Sequence, residues 1–260
     1  MLSALSQLIN EKKLKIEVLC TPKGWINIQE CLECSFLEKC YGVTRELFSY
    51  FIRQTLDHWD REKISASIIS NCLSKRIFEL RYGIKLYPQI IRDAIRGHII
   101  HYGIQKIYKE ELPNSKTEVE VMLFLEHGRI TGHADILDIE NSTIYEIKTT
   151  SRNTPSVNWL IQAAIYKLAL KVRKAYILLY DIKTQTAKKF KVAFDEEKLI
   201  NWLNDRILKY QVAKLTLNIN DLEEHGAPTN IICKKCPYYS ECPNKFKKVN
   251  IDFIRYERGG

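Results

Sequence analysis

"TEVEVMLFLEHGRITGHADILDIENSTIYEIKTT", residues 117–150, decides the fold. Apolar and polar residues alternate in short runs, and His127-Gly128 and Asn141-Ser142 interrupt them. Alternation of this kind marks half-buried strands, and breaks of this composition are turns, so the stretch predicts a three-stranded meander. Side chains alternate across a strand. Glu146 and Lys148 therefore share one face, while Ile147 points into the core. Asp135 lies on the neighbouring strand and can reach that same face. Two carboxylates and an ammonium converging there make a hard-cation site beside a proton handler. Such a site suits metal-assisted hydrolysis of a phosphodiester. The plainer alternative is a surface salt bridge between Glu146 and Lys148.

Outward from this meander the pattern is helical. Apolar residues recur at helical spacing over 44–58 and over 65–83, where Ser65 suits an N-cap and Gly83 a stop. A further helix starts at Pro88, a residue favoured in the first turn. It carries His98 and His101, three apart and able to share a face. After the meander come a helix over 158–172, a strand pair over 174–194 and a long helix over 195–215 with Asp195 at its start. On the first of these, Gln162 and Tyr166 are four apart and share a face. This order predicts a mixed α/β sandwich. The chain lacks a Gly-x-x-x-x-Gly-Lys loop, which argues against a nucleotide-hydrolysing motor.

The chain has 260 residues, enough to bury a sizeable core. Its formal charge of +9 suits a polyanionic partner, or a solvated lysine-rich surface. "MLSALSQLINEKKLKIEVLC" has no long apolar core and reaches charged residues early. No uninterrupted apolar run is long enough to cross a bilayer. A soluble, cytoplasmic protein is the expectation.

Six of the eight cysteines form two triads of identical spacing. "CLECSFLEKC" (31–40) places Cys31, Cys34 and Cys40, and "CKKCPYYSEC" (233–242) places Cys233, Cys236 and Cys242. In an intracellular chain such clusters argue for metal or cluster ligation over disulfides. Each triad is one ligand short of a tetrahedral ion or a cubane cluster.

Four ordered motifs now stand together: Gly97-x-x-x-His101, Gly132-x-x-Asp135, Glu146-x-Lys148 and Gln162-x-x-x-Tyr166. On these the chain resembles the RecB-like branch of the PD-(D/E)xK nucleases. Within that branch it is similar to the iron–sulfur nucleases of CRISPR adaptation, the Cas-four family. Those carry one cysteine ahead of the histidine and a C-x2-C-x5-C triad near the C-terminus. Cys72 sits at the first position and Cys233, Cys236 and Cys242 at the second. The resemblance covers residues 64–246.

The resemblance implies an α/β protein with a PD-(D/E)xK restriction-endonuclease-like core, a helical N-terminal part and a cysteine-ligated C-terminal segment. The divisions expected are 1–60 as a cysteine-rich extension, 61–230 as the nuclease core and 231–260 as the cluster-binding segment with a basic tail. It also implies that His101, Asp135 and Glu146 bind catalytic Mn²⁺ or Mg²⁺, with the Ile147 carbonyl as a further ligand. An imidazole among the ligands favours manganese relative to an all-oxygen site. Lys148 is the implied catalytic lysine, and Gln162 and Tyr166 would hold the site and the DNA strand. Cys72, Cys233, Cys236 and Cys242 would hold a [4Fe–4S] cluster, a staple closing the fold around a channel for single-stranded DNA. Zinc is the competing occupant.

Cys20, Cys31, Cys34 and Cys40 fall outside the family pattern. Three readings stay open: a second four-thiolate site, most simply for Zn²⁺; unmetallated or mutually paired thiols; or competition with the C-terminal triad. The activity expected is a metal-dependent DNA exonuclease acting on single strands or strand ends, trimming captured DNA before its integration into a CRISPR array. Its implied partners are the adaptation integrase and that enzyme's companion subunit. The alternatives are a repair or recombination nuclease of the same fold, and a non-catalytic cluster-stapled DNA-binding subunit.

Overall fold

The chain begins with a small unit of short elements. In a computed structural model that describes residues 2–12, 14–20, 23–57, 62–222, 233, 236–243 and 251–258, α1 (Leu2–Glu11) leads into a hairpin of β1 (Ile16–Cys20) and β2 (Gly24–Asn27). Two brief helices follow, α2 (Ile28–Glu33) and α3 (Leu37–Tyr41), then α4 (Arg45–Asp57). The Asn27 side chain caps α2 by accepting from the Gln29 N–H.

The 65–83 stretch predicted as one helix is two. β3 (Ile64–Ser65) precedes α5 (Ala66–Ile69), and α6 (Leu73–Tyr82) starts only after a break at 70–72. The cause is distant in sequence. Arg206, fully buried, donates from Nε to the Ile69 carbonyl at 2.6 Å and from its other arm to the Asn71 carbonyl. Those carbonyls are thereby taken from the helix ladder. Ser65 is an N-cap as expected, accepting from Ile68 N–H, and Gly83 ends α6 at φ +91°. A side chain at Gly83 would run into the Lys15 backbone.

The chain then adds β4 (Ile84–Leu86) to the N-terminal hairpin, giving the sheet order β2-β1-β4 with β1 and β4 parallel. It returns through α7 (Pro88–Glu111), a 24-residue helix with proline in its first turn. The meander is as predicted: β5 (Ser115–Leu125), β6 (Gly128–Asp138) and β7 (Thr143–Thr150), antiparallel in turn. Helix α8 (Val157–Leu170) crosses back so that β8 (Lys174–Asp181) pairs parallel to β7. β9 (Thr186–Phe194) completes a hairpin with β8, and α9 (Glu196–Thr216) starts at Asp195, whose side chain accepts from Lys198 N–H at 3.1 Å. β10 (Ile254–Arg258) pairs with β9. The predicted basic tail lies outside the described residues over 244–250 and 259–260.

The large sheet runs β10-β9-β8-β7-β6-β3, with β5 on the other edge of β6. Its main core lies under α8 and α9, where Ile144, Ile177, Leu179, Ile161, Ile165 and Leu203 are buried. α7 covers the opposite face through Ile104 and Tyr108 over Ile136, Ile147 and Leu178. A second core, around Val18, Ile28, Tyr41, Phe48 and Ile52, also takes Ile84 of β4 and Ile91 and Ile95 of α7.

Candidate active site

β6 and β7 pair only at their closed end, through Ile136↔Tyr145, Leu137↔Ile144 and Asp138↔Thr143. Beyond that register they splay, and β3 takes over the edge of β6 at Ile130 and Thr131. Asp135 and Glu146 stand just past the last rung. Had the ladder continued they would have faced each other. Instead, Asp135 reaches across and accepts the Ile147 N–H on Oδ2 at 2.6 Å. This bond satisfies a backbone donor that splaying would have orphaned, and it seats one carboxylate beside another.

Glu146 is 2% exposed. Its Oε1 accepts from Lys148 Nζ at 2.7 Å. Its Oε2 is buried and, among the described residues, has no hydrogen-bond partner. Burial first, and the Asp135 charge second, push the Glu146 carboxyl up to about 8. Burial alone would lower the Lys148 ammonium, but the Glu146 and Asp135 charges outweigh it and hold the lysine above its ordinary value. His101 comes from α7, with Nδ1 3.6 Å from Asp135 Oδ1. His98, one turn earlier, is exposed.

A polar chain backs the lysine. Lys148 Nζ also donates to Gln162 Oε1 at 3.1 Å, and Gln162 Nε2 donates to Tyr166 Oη at 2.9 Å. Burial drives the Tyr166 phenol far above its usual range, so it stays protonated. The hydroxyl end of Tyr166 packs closely against Gly132: a Cβ there would sit 2.6 Å from its Oη. Thus His101, Asp135, Glu146, Lys148, Gln162 and Tyr166 occupy one place. Ile147 contributes its backbone while its side chain is buried on the α7 face.

Two further residues join the site. Glu118 sits opposite Asp135 on β5, with φ +51° where the β5–β6 register skips a rung. Gln105 of α7 donates both to Glu118 Oε1 and to the Asp135 carbonyl. Glu118 adds to the negative field on Glu146. Alternation hides Glu118 in the sequence, because the left-handed conformation that turns it is set by tertiary packing. A left-handed non-glycine residue is a recurrent mark of functional sites.

A cleft of about 830 Å³ opens beside Gly132, His133 and Tyr166, with Lys63 at its wall. It shares Ser67, Ile68, Lys75, Arg76 and Glu79 with a second of about 580 Å³, lined also by Cys72, Cys236, Arg152 and Trp159. The two clefts adjoin along these shared wall residues.

All eight cysteines are free thiols. Cys72 falls at the α5–α6 break as the N-cap residue of α6. Burial pushes its thiol up to about 11; the neighbouring Cys236 and Cys242 add to this. Cys236 in turn feels Cys242 and Cys233. Lys75 lies close enough for Cys236 and Cys72 to favour its charge. Cys20, Cys31, Cys34 and Cys40 form a separate neighbourhood in the N-terminal unit. Among the described residues no three His, Cys, Asp or Glu side chains are already drawn tight enough to chelate an ion. The fit therefore rests on donor chemistry. The carboxylate pair with an orphaned oxygen suits a hard divalent cation, and the thiols of Cys72, Cys236 and Cys242, with Cys233 beside Cys236, suit a thiophilic centre.

The family model described as the PD-(D/E)XK nuclease superfamily matches residues 114–243, half of the chain. No curated protein matches the sequence. Among solved structures the chain is similar to SSO0001, with TM-score 0.59 and 20% identity, covering 77% of this chain and 96% of that one. It is also similar to the alkaline exonuclease LHK-Exo of Laribacter hongkongensis, with TM-score 0.39 and 14% identity, covering 66% and 93%. The likeness to SSO0001 is one of fold.

Proposed function

Because this chain belongs to the PD-(D/E)XK nuclease superfamily, we propose that it is a metal-dependent DNA exonuclease acting on single strands or strand ends. The observation that carries the reading is the buried Oε2 of Glu146, beside Asp135 and without a hydrogen-bond partner among the described residues. A buried carboxylate pair is costly without a cation. Superfamily members generally use divalent metals such as Mg²⁺ or Mn²⁺. Here His101, Asp135, Glu146 and the Ile147 carbonyl would hold the ion, which when bound polarises a phosphoryl oxygen and acidifies water.

The protein's own groups supply the rest. Lys148, held charged by its two carboxylates, orients the attacking water and offsets charge developing on the phosphate. Gln162 fixes the lysine, and Tyr166 fixes Gln162. The groove beyond Tyr166 gives a strand a path, with Lys63 and Arg152 for phosphates and Trp159 for a base to stack on.

The resemblance to the Cas-four family extends the proposal. Cys72, Cys233, Cys236 and Cys242 would hold a [4Fe–4S] cluster that staples the α5–α6 break to the C-terminal segment. The biological task would be trimming DNA for CRISPR spacer acquisition, alongside the adaptation integrase and its companion subunit. Finding an integrase gene and a repeat array next to this gene would favour that role over a repair nuclease.

The test is a metal titration of cleavage of an end-labelled single strand. Glu146→Ala should bind Mn²⁺ weakly and recover partly at high metal. Lys148→Ala should stay slow at any metal concentration, by ~10²-fold or more. Wild-type rates in both variants refute the proposal.

A further inference from the structure

The two cysteine triads share more than their spacing. In the C-terminal one, Cys236 N–H donates to the Cys233 carbonyl at 3.1 Å, and Tyr239 N–H to the Cys236 carbonyl at 3.1 Å. In the N-terminal one, Cys34 N–H donates to the Cys31 carbonyl at 3.2 Å, and Leu37 N–H to the Cys34 carbonyl at 3.2 Å. The same two consecutive turns thus present the first two thiols of each triad. A fourth thiol comes to each from another element: Cys72 at the start of α6, and Cys20 at the end of β1. Each set also has a lysine within reach of two of its sulfurs, Lys75 in one and Lys23 in the other.

We propose that Cys20, Cys31, Cys34 and Cys40 form a second metal centre, a four-thiolate zinc site that holds the N-terminal unit together. The Cys31 thiol lies within the electrostatic reach of Cys34, Cys20 and Cys40, so all four sulfurs share one neighbourhood.

The surroundings are built for the purpose. Cys31 Sγ lies 3.7 Å from Oη of the buried Tyr41, an outer-shell partner of the kind that orients a ligating sulfur. Arg45 donates to the carbonyls of Leu32 and Cys34 and so fixes the loop between α2 and α3. The need is physical. β2 has four residues, α2 six and α3 five. Elements this short gain little from their own hydrogen bonds, and small units of this size are commonly stapled by a metal. Zinc asks only that four sulfurs meet at one point, and C-x2-C on a tight turn is a usual half of such a site.

The experiment uses the full chain, purified without oxygen, with bound zinc and iron counted by elemental mass spectrometry. Wild type should carry one zinc ion per chain. Cys34→Ser and Cys40→Ser should each lose it, and Cys236→Ser should keep it. Cys40 is exposed, so its replacement leaves the core untouched. As a second measurement, cobalt exchanged into wild type should give the visible bands of tetrahedral sulfur ligation, lost in Cys40→Ser. Wild type without zinc, zinc retained in both N-terminal variants, or iron lost in their place overturns the proposal. Manganese-dependent cleavage by the same wild-type preparation is read separately, so failure of the nuclease reading is told apart from failure of this one.

Discussion

Gly132→Ala tests the site's architecture without touching a titrating group. Gly132 does not have a positive φ, so alanine fits its backbone. The obstacle is Tyr166: the new methyl would stand 2.6 Å from Oη, 2.7 Å from Cε1 and 3.0 Å from Cζ. Carbon contacts normally begin near 3.5 Å, so the ring must retreat by roughly 1 Å. Tyr166 is 3% exposed, so its ring is packed on most sides and its retreat displaces neighbouring side chains. Overpacking of this kind costs about 1–3 kcal/mol. At about 2–4 °C per kcal/mol for a chain of this size, the midpoint of thermal unfolding should fall by roughly 2–12 °C. The retreat also pulls Oη from Gln162 and loosens the hold on Lys148, so cleavage should slow while metal affinity stays near wild type. Tyr166→Phe removes the nearest clashing atom. The double variant should therefore be more stable than the sum of the single changes predicts, by more than the ~0.5 kcal/mol within which independent sites add. Wild-type stability and rate in Gly132→Ala, or strict additivity with Tyr166→Phe, refutes the reasoning.

Two further outcomes are expected. Glu146 titrates higher folded, at about 8, than in an unfolded chain, so the metal-free fold is favoured below the unfolded value near 4.5 and loses that advantage as pH rises through 8. Unfolding midpoints of metal-free protein should therefore fall between pH 5 and 8, and Glu146→Gln should flatten this slope; equal slopes would count against a buried acid. Protein purified without oxygen should be brown, and Cys72→Ser or Cys236→Ser should bleach it, whereas a colourless wild type containing only zinc would exchange the proposed cluster for a zinc ion.

The meander was plain in the sequence because its turns carry their own signals, His127-Gly128 and Asn141-Ser142, and its strands alternate. The pairing of Glu146 with Lys148 followed from strand geometry alone, as the 2.7 Å contact bears out. What escaped were features set from far away. The break before Cys72 depends on Arg206, 137 positions from Ile69. The left-handed turn at Glu118 depends on a skipped rung. Over 14–41 the apolar residues have no strong periodicity, since β1, β2, α2 and α3 are too short to show one. Their partners lie on β4 and the first half of α7, beyond any local window.

α7 belongs to two bodies at once. Its first half is locked into the N-terminal core by Ile91 and Ile95, and its second half delivers His101 to the carboxylates and Ile104 and Tyr108 to the sheet. It is a rigid rod, and rods act as levers. His101 lies six residues beyond Ile95, about 9 Å along the axis at 1.5 Å per residue. A tilt of about 5° at Ile95 would swing the imidazole by about 0.8 Å. Displacements near ~1 Å are enough to cost an enzyme ~10²-fold in rate. A load placed on the N-terminal unit, whether a docked protein or a strained loop, would thus reach the chemistry as torque and throttle turnover without touching the groove.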